Sequence, residues 1–224
     1  MTATSDLVDY VSDIIQDTSY SDATILKYIN RGLKQIAGGM FITYPDRTQV
    51  FSSPLPNLLT SDTVTTSTSA AYVDLPDDFG RGLLAVSSAA TDTLITIVES
   101  FAEFLSMYPT LDMSSSIVAV SVRGTRIYYQ GIPTTADTLT LHYYSTPTEL
   151  SDDDDAPDCL PSHLHEELLV NYAAMKIYDQ IEDGIVSPKT NTEAYTVRFS
   201  KAMLDLELSI EDQPIPVTFI SSYE

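Results

Sequence analysis

Residues 160–184, LPSHLHEELLVNYAAMKIYDQIEDG, constrain this chain more than any other stretch, because a start signal, a helical apolar repeat and a stop signal coincide there. Leu164, Leu168, Tyr172 and Met175 fall at i, i+4, i+8 and i+11, and Leu169 and Ala173 widen the stripe. Pro161 suits the first helical position, where a missing N–H costs nothing, and Glu166 and Glu167 lie near the positive end of the helix dipole. Gly184 ends the run. The spacing predicts a single long helix, the central packing element of the C-terminal half.

Two further amphipathic helices open the chain. Residues 5–16 follow an N-cap candidate, Ser5 or Asp6, and carry Leu7, Val8, Val11, Ile14 and Ile15 at helical spacing. Ser21 caps the second helix, whose apolar side is Ile25, Leu26, Ile29, Leu33 and Ile36 and whose stop is Gly38-Gly39. The short connection 17–20 makes the two an antiparallel pair. Such a pair cannot bury both stripes alone, so a later part of the chain must cover them.

From Tyr44 the texture changes. Pro45, Pro54, Pro56 and a Ser/Thr-rich run are poor in helix formers, and residues 57–70 read as an exposed or mobile loop. Strand patterns follow at 71–75, 83–87, 93–98, 116–122, 126–130 and 138–144, with turns at Pro76-Asp77-Asp78, Arg123-Gly124-Thr125 and Pro133. In the last strand Leu139, Leu141 and Tyr143 point to one side and Thr138, Thr140, His142 and Tyr144 to the other. Residues 99–108 carry Phe101, Phe104, Leu105 and Tyr108 at i, i+3, i+4 and i+7, a short helix stopped by Pro109.

The last helix is expected over 195–210, opened by a capping box of Thr190 and Glu193. Tyr195, Phe199, Ala202, Leu206 and Ile210 share one face, while Val197, Leu204 and Leu208 fall on nearly the opposite one. The second face is covered either by the same subunit or by a neighbour, in which case those three residues form a subunit interface. Residues 212–224, DQPIPVTFISSYE, alternate around Ile215, Val217 and Phe219, and Pro214 and Pro216 forbid a helix. This arm either adds to another chain's sheet edge, packs on its own domain, or frays.

The class is α+β: a bundle of two N-terminal and two C-terminal helices, with an inserted, hairpin-connected antiparallel β-domain carrying one short helix, and an extended C-terminal arm. The expected divisions are the helix pair 1–43, the β-rich domain 44–150 with its helix 99–108, C-terminal helices 151–211 packing on the first pair, and the arm 212–224. At 224 residues the chain can build a core without metal or disulfides, and its single cysteine, Cys159, cannot form an internal one. No basic and apolar leader opens it and no run of about 18 apolar residues could cross a bilayer, so it is expected to be soluble, cytosolic when made and free of membrane.

Eleven basic residues against 32 acidic give a net charge of −21, the opposite of what phosphate neutralisation requires. The acidity serves solubility, or it forms a wall past which DNA slides without sticking. Nucleotide, metal and acyl-transfer motifs are absent, so no enzyme and no cofactor are expected. His163 and His165 sit about 200° apart on a helix, read as its solvated start, and cannot share a metal. Asp152, Asp153, Asp154 and Asp155 lack the spacing of a calcium loop and read as a solvated linker. Tyrosine is abundant, 14 with no Trp; Tyr128, Tyr129, Tyr143 and Tyr144 cluster without accompanying Lys or Arg, which favours core or interface anchors over base stacking.

The order of parts resembles the head-to-tail adaptor, or connector, proteins of tailed bacteriophages. It is carried by the N-terminal helix pair, then Tyr72-Val-Asp-Leu-Pro-Asp-Asp-Phe79 running into Gly82-Leu-Leu-Ala-Val86. Next come Ile127-Tyr-Tyr-Gln-Gly-Ile-Pro133, Leu139-Thr-Leu-His-Tyr-Tyr144, Pro147 and Leu150-Ser151 with an acidic linker. Leu160-Pro161 then opens a helix with Leu168, Tyr172, Ala173 and Ala174 that ends near Glu182-Asp183-Gly184. The resemblance implies a virion protein of the neck, assembled in the host cytoplasm as a 12-fold homo-oligomeric ring between the portal protein and a tail or nozzle protein. DNA would pass through its channel without specific binding, and Ile215, Val217, Phe219, Ile220 and Tyr223 would contact the portal. A tail-tube terminator or other neck protein, and a tyrosine-rich surface binding module, are the alternatives.

Overall fold

The computed structural model describes residues 2–43, 49–183 and 189–211, and shows a mixed α+β chain. Helices α1 (Thr4–Ile15) and α2 (Asp22–Gly38) lead into strands β1 (Phe41–Thr43) and β2 (Gln49–Phe51). Then come β3 (Leu59–Thr65), β4 (Tyr72–Asp74), β5 (Phe79–Ser88), β6 (Thr93–Leu94), β7 (Thr96–Ile97), helix α3 (Phe101–Met107), β8 (Ala119–Arg123), β9 (Arg126–Tyr129) and β10 (Thr138–Ser145). Helices α4 (Asn171–Ile181) and α5 (Thr190–Glu211) follow. Two compact units result, one of Met1–Leu58 with Pro147–Glu224 and one of Leu59–Thr146.

In the first unit α4 packs against α1, α2 and α5, and so supplies the cover that the N-terminal pair needs. Leu7, Val8, Val11 and Ile15 of α1 and Ile25, Ile29, Leu33 and Ile36 of α2 are buried, as are Leu168, Leu169, Tyr172, Ala173, Ala174 and Ile177. The helices approach closely at Gly32, where an added Cβ would lie 2.6 Å from Cδ1 of Tyr172. Gly38 and Gly39 end α2 where expected, with Gly39 at φ 88°. The N-terminus of α1 departs from the reading of Ser5 or Asp6 as cap. Ala3 is the N-cap, and the orphan amides are taken by backbone carbonyls of the acidic stretch, Thr4 N donating to Asp155 O at 2.8 Å and Ser5 N to Asp153 O at 3.1 Å. That stretch is therefore more than a solvated linker. Its main chain caps α1, and the Asp155 carboxylate accepts from the amides of Ser151 and Asp152, which holds it below the usual carboxylate range.

The single long helix read over 160–184 is composite. A 3-10 turn at Ser162–Leu164 and a π turn at Glu166–Val170 precede α4, and Pro161 lies just before the first turn. Leu168, Leu169 and Val170 are all buried, and three consecutive residues cannot share one face of a regular α-helix; the wider turn changes the register between them. The Asn171 side-chain amide donates to the Glu167 carbonyl at 2.6 Å across this turn. Gly184 lies outside the described residues.

His165 immediately precedes the π turn and is 1% exposed, which corrects its reading as part of a solvated helix start; His163 is exposed. Its Nε2 contacts Leu160 O at 3.1 Å, and burial lowers its pKa below 6.5. A lowered folded pKa means the neutral form is favoured on folding. The stabilisation is complete above pH 6.5 and is lost as pH falls through the folded value, by at most about 1.4 kcal/mol per pH unit. Urea midpoints at pH 7.5 and 5.5 are therefore expected to fall more in the native chain than in His165→Gln. Equal falls would remove the histidine from the account.

The second unit holds two four-stranded sheets, ordered β3-β10-β5-β6 and β4-β9-β8-β7, around one core. Leu139, Leu141 and Tyr143 of β10 face inward as their alternation requires, opposite Ile127 and Tyr129 of β9 and Val120 of β8. The loop read at 57–70 is corrected by β3, which pairs antiparallel with β10 from Leu59↔Tyr144 to Thr65↔Thr138. Its threonines suit an edge strand, and its partner lies more than 70 residues away, outside the reach of local pattern. The strand read at 93–98 divides at the buried Ile95: β6 pairs with β5 in one sheet, and β7 pairs parallel with β8 in the other. The connectivity is thus not purely antiparallel and hairpin-linked. Helix α3, capped by Ser100, is the crossover that a parallel pair requires.

Candidate assembly surface

Helix α5 begins at Thr190, five residues before its expected start, so Thr190 stands inside the helix rather than ahead of it. The carboxylate that meets its first turn belongs to Glu182, after α4. It accepts from the amides of Asn191 and Thr192, each at 3.1 Å, and from Thr192 Oγ1 at 2.7 Å. Burial raises the Glu182 pKa, and these donors outweigh it, leaving the group below the usual carboxylate range. The inward face of α5 buries Phe199, Ala202, Met203, Leu206 and Ile210. Val197 is 69% and Leu208 61% exposed, with Leu204 half-buried between them. Eleven residues of α-helix place Val197 and Leu208 about 16 Å apart along one outward stripe.

A second apolar surface has no periodic signature in the sequence. β1 and β2 form a two-stranded ribbon in which Phe41 pairs with Phe51, their rings edge-to-face at 5.2 Å. Phe41 is 70% exposed and Phe51 49%. The ribbon is tied to α5 by the buried Glu207, which accepts from Ser53 N at 2.8 Å and Ser53 Oγ at 2.7 Å. Short strands separated by prolines carry little periodic signal, so only the paired phenylalanines could have flagged it. The arm residues Ile215, Val217, Phe219, Ile220 and Tyr223 lie outside the described residues.

In the second unit the tyrosines separate by strand parity. Tyr129 and Tyr143 are fully buried; the Tyr129 hydroxyl donates to Ala70 O at 2.8 Å and accepts from Ser67 N at 2.8 Å. Tyr143 donates to Asp78 at 2.5 Å, and burial followed by that carboxylate raises its pKa. Tyr128 and Tyr72 face outward with ring centroids 5.5 Å apart, beside Phe101. The expectation that no Lys or Arg accompanies the cluster is corrected. Arg126 lies 4.3 Å over the Tyr72 ring and is paired with Asp74, and Arg123 lies 5.0 Å over Phe101. A shallow cavity of about 270 Å³ is lined by Tyr72 and Tyr128 together with Leu111, Asp112 and Ile132.

Among the described residues no group of three or more His, Cys, Asp or Glu side chains could hold a metal ion, and no helix is long and apolar enough to cross a membrane. Cys159 is buried, which raises its pKa to about 11 and leaves the thiol protonated. A family model described as SU10 adaptor protein matches residues 1–217. No curated protein sequence matches the chain.

Proposed function

The chain belongs to the SU10 adaptor protein family, a family of phage head-to-tail adaptors, and from that premise we propose that it forms a ring joining the portal to the tail. The observation that supports this reading best is the outward stripe of α5, because an amphipathic surface helix ordinarily shows one apolar face and this one shows two. Val197, Leu204 and Leu208 are then contacts to a neighbouring copy, in a ring expected to be 12-fold. A head-to-tail contact of this kind closes into a ring when its rotation divides the circle.

The arm 212–224 contacts the portal, with Ile215, Val217, Phe219, Ile220 and Tyr223 as anchors. Pro214 and Pro216 share one parity, so one edge of an extended arm is missing two neighbouring donors while the other, through Ile215, Val217 and Phe219, keeps its donors and can pair with a sheet edge. The net charge of −21 keeps DNA moving through the channel by repulsion rather than capture. Deleting 212–224 is expected to abolish pull-down of a purified portal ring while circular dichroism stays unchanged. Undiminished binding would sink the assignment of the arm. A second reading, ligand binding at Tyr72 and Tyr128, is favoured by the cavity beside them. It requires saturable binding by the isolated monomer.

A further inference from the structure

We infer that neighbouring copies are held together by opposite charge as well as apolar contact, the basic face of α2 in one copy lying along the acidic face of α1 in the next. This deepens the ring reading above and rests on it. Of the 11 basic residues in the chain, Lys27, Arg31 and Lys34 fall on one exposed face of α2, within about 60° of one another around the helix. Lys34 is paired with Glu149; among the described residues Lys27 and Arg31 make no ion pair. On α1, Asp6, Asp9 and Asp13 are likewise exposed within about 60°, and Tyr10, 43% exposed, stands among them. Among the described residues the two stripes form no ion pair with each other in the same chain.

The spacings are complementary. Asp6, Asp9 and Asp13 are separated by three and four residues; Lys34, Arg31 and Lys27, read in the opposite direction, are separated by three and four as well. An antiparallel docking of the two faces therefore sets Asp6 against Lys34, Asp9 against Arg31 and Asp13 against Lys27, over about 10 Å of helix. Arg31 also meets the Tyr10 ring, a cation–π partner. The occupant is a second copy rather than DNA. A phosphate backbone would be repelled by the remaining charge of a chain at −21, whereas a second copy brings a matching acidic face of equal length. The contact is heterologous, using different faces on the two sides, as a ring demands. It also gives copies that repel each other at long range a short-range attraction of fixed direction.

Two charge-reversal variants test this: Lys27→Glu with Arg31→Glu, and Asp9→Lys with Asp13→Lys. All four sites are on the surface, and circular dichroism checks each fold. Self-association is followed by light scattering at about 0.15 M salt, alone and on a purified portal ring. Each variant alone is expected to associate about a hundredfold more weakly than the native chain, because like charges now face each other. An equimolar mixture is expected to recover, since every contact then joins opposite charges, and so is one chain carrying all four reversals. The deficits are expected to shrink in 1 M salt, where screening reaches about 3 Å. Native-like association of either variant, or failure of the mixture, overturns the inference while leaving the ring reading standing. A native chain that stays monomeric alone and on the portal overturns both.

Discussion

Tyr172→Ala is expected to lower the stability of the first unit by about 3–5 kcal/mol. Tyr172 is fully buried where α2, α4 and α5 meet, with its ring against Phe199 at 5.5 Å and its hydroxyl donating to Gln35 at 2.7 Å. The residue beneath the ring is Gly32, which has no side chain to relax into the space, so the cavity stays open. The converse change shows the same fit from the other side. Gly32→Ala gains about 1 kcal/mol of helix propensity, yet its Cβ would stand 2.6 Å from Cδ1 of the ring. In the native chain overpacking is expected to win, for a net loss of about 1–2 kcal/mol. In the Tyr172→Ala background the clash is gone, and the same alanine is expected to stabilise. Urea unfolding of the four chains closes the cycle; additive effects would show that glycine and ring do not compete for one space.

Periodic burial was legible in the sequence, and contacts between distant segments were not. The stripes of α1 and α2, the inward residues of β10 and the turn at Gly124 follow from local spacing, and each of them is where that spacing puts it. The polar, largely exposed residues of β3 alternate too weakly to mark a strand, and only its pairing with β10 makes it one. The break at Ile95 is likewise set by two sheets competing for one apolar run. His165 illustrates the limit of helical spacing: the π turn that follows it shifts the register, and a residue assigned to the solvated start is buried. At the candidate site, the two-faced pattern of α5 was visible in sequence. The ribbon of Phe41 and Phe51, the Glu182 carboxylate that meets the first turn of α5 from outside it, and the Glu207 carboxylate of α5 that holds Ser53 were not, because each depends on a partner from another part of the chain.

If the outward stripe of α5 faces a neighbouring copy, Val197→Asp with Leu208→Asp should leave the monomer intact and stop assembly. In the isolated chain both side chains already stand in water, at 69% and 61% exposure, so aspartate there costs the fold little beyond helix propensity. In an apolar contact the same carboxylates must lose their hydration without a partner, a penalty of several kcal/mol for the pair. The expected result is an unchanged urea midpoint together with a loss of more than about a hundredfold in self-association, the equivalent of about 3 kcal/mol. Val197→Ala with Leu208→Ala should show a smaller loss in the same direction, since it removes apolar area without adding charge. The two pairs separate packing from repulsion. A ring that tolerates both aspartates would place the lateral contact elsewhere on the chain. If each copy repeats the contact around a ring, even the milder pair should shift the balance from closed rings to free chains, which sedimentation at fixed concentration would read directly.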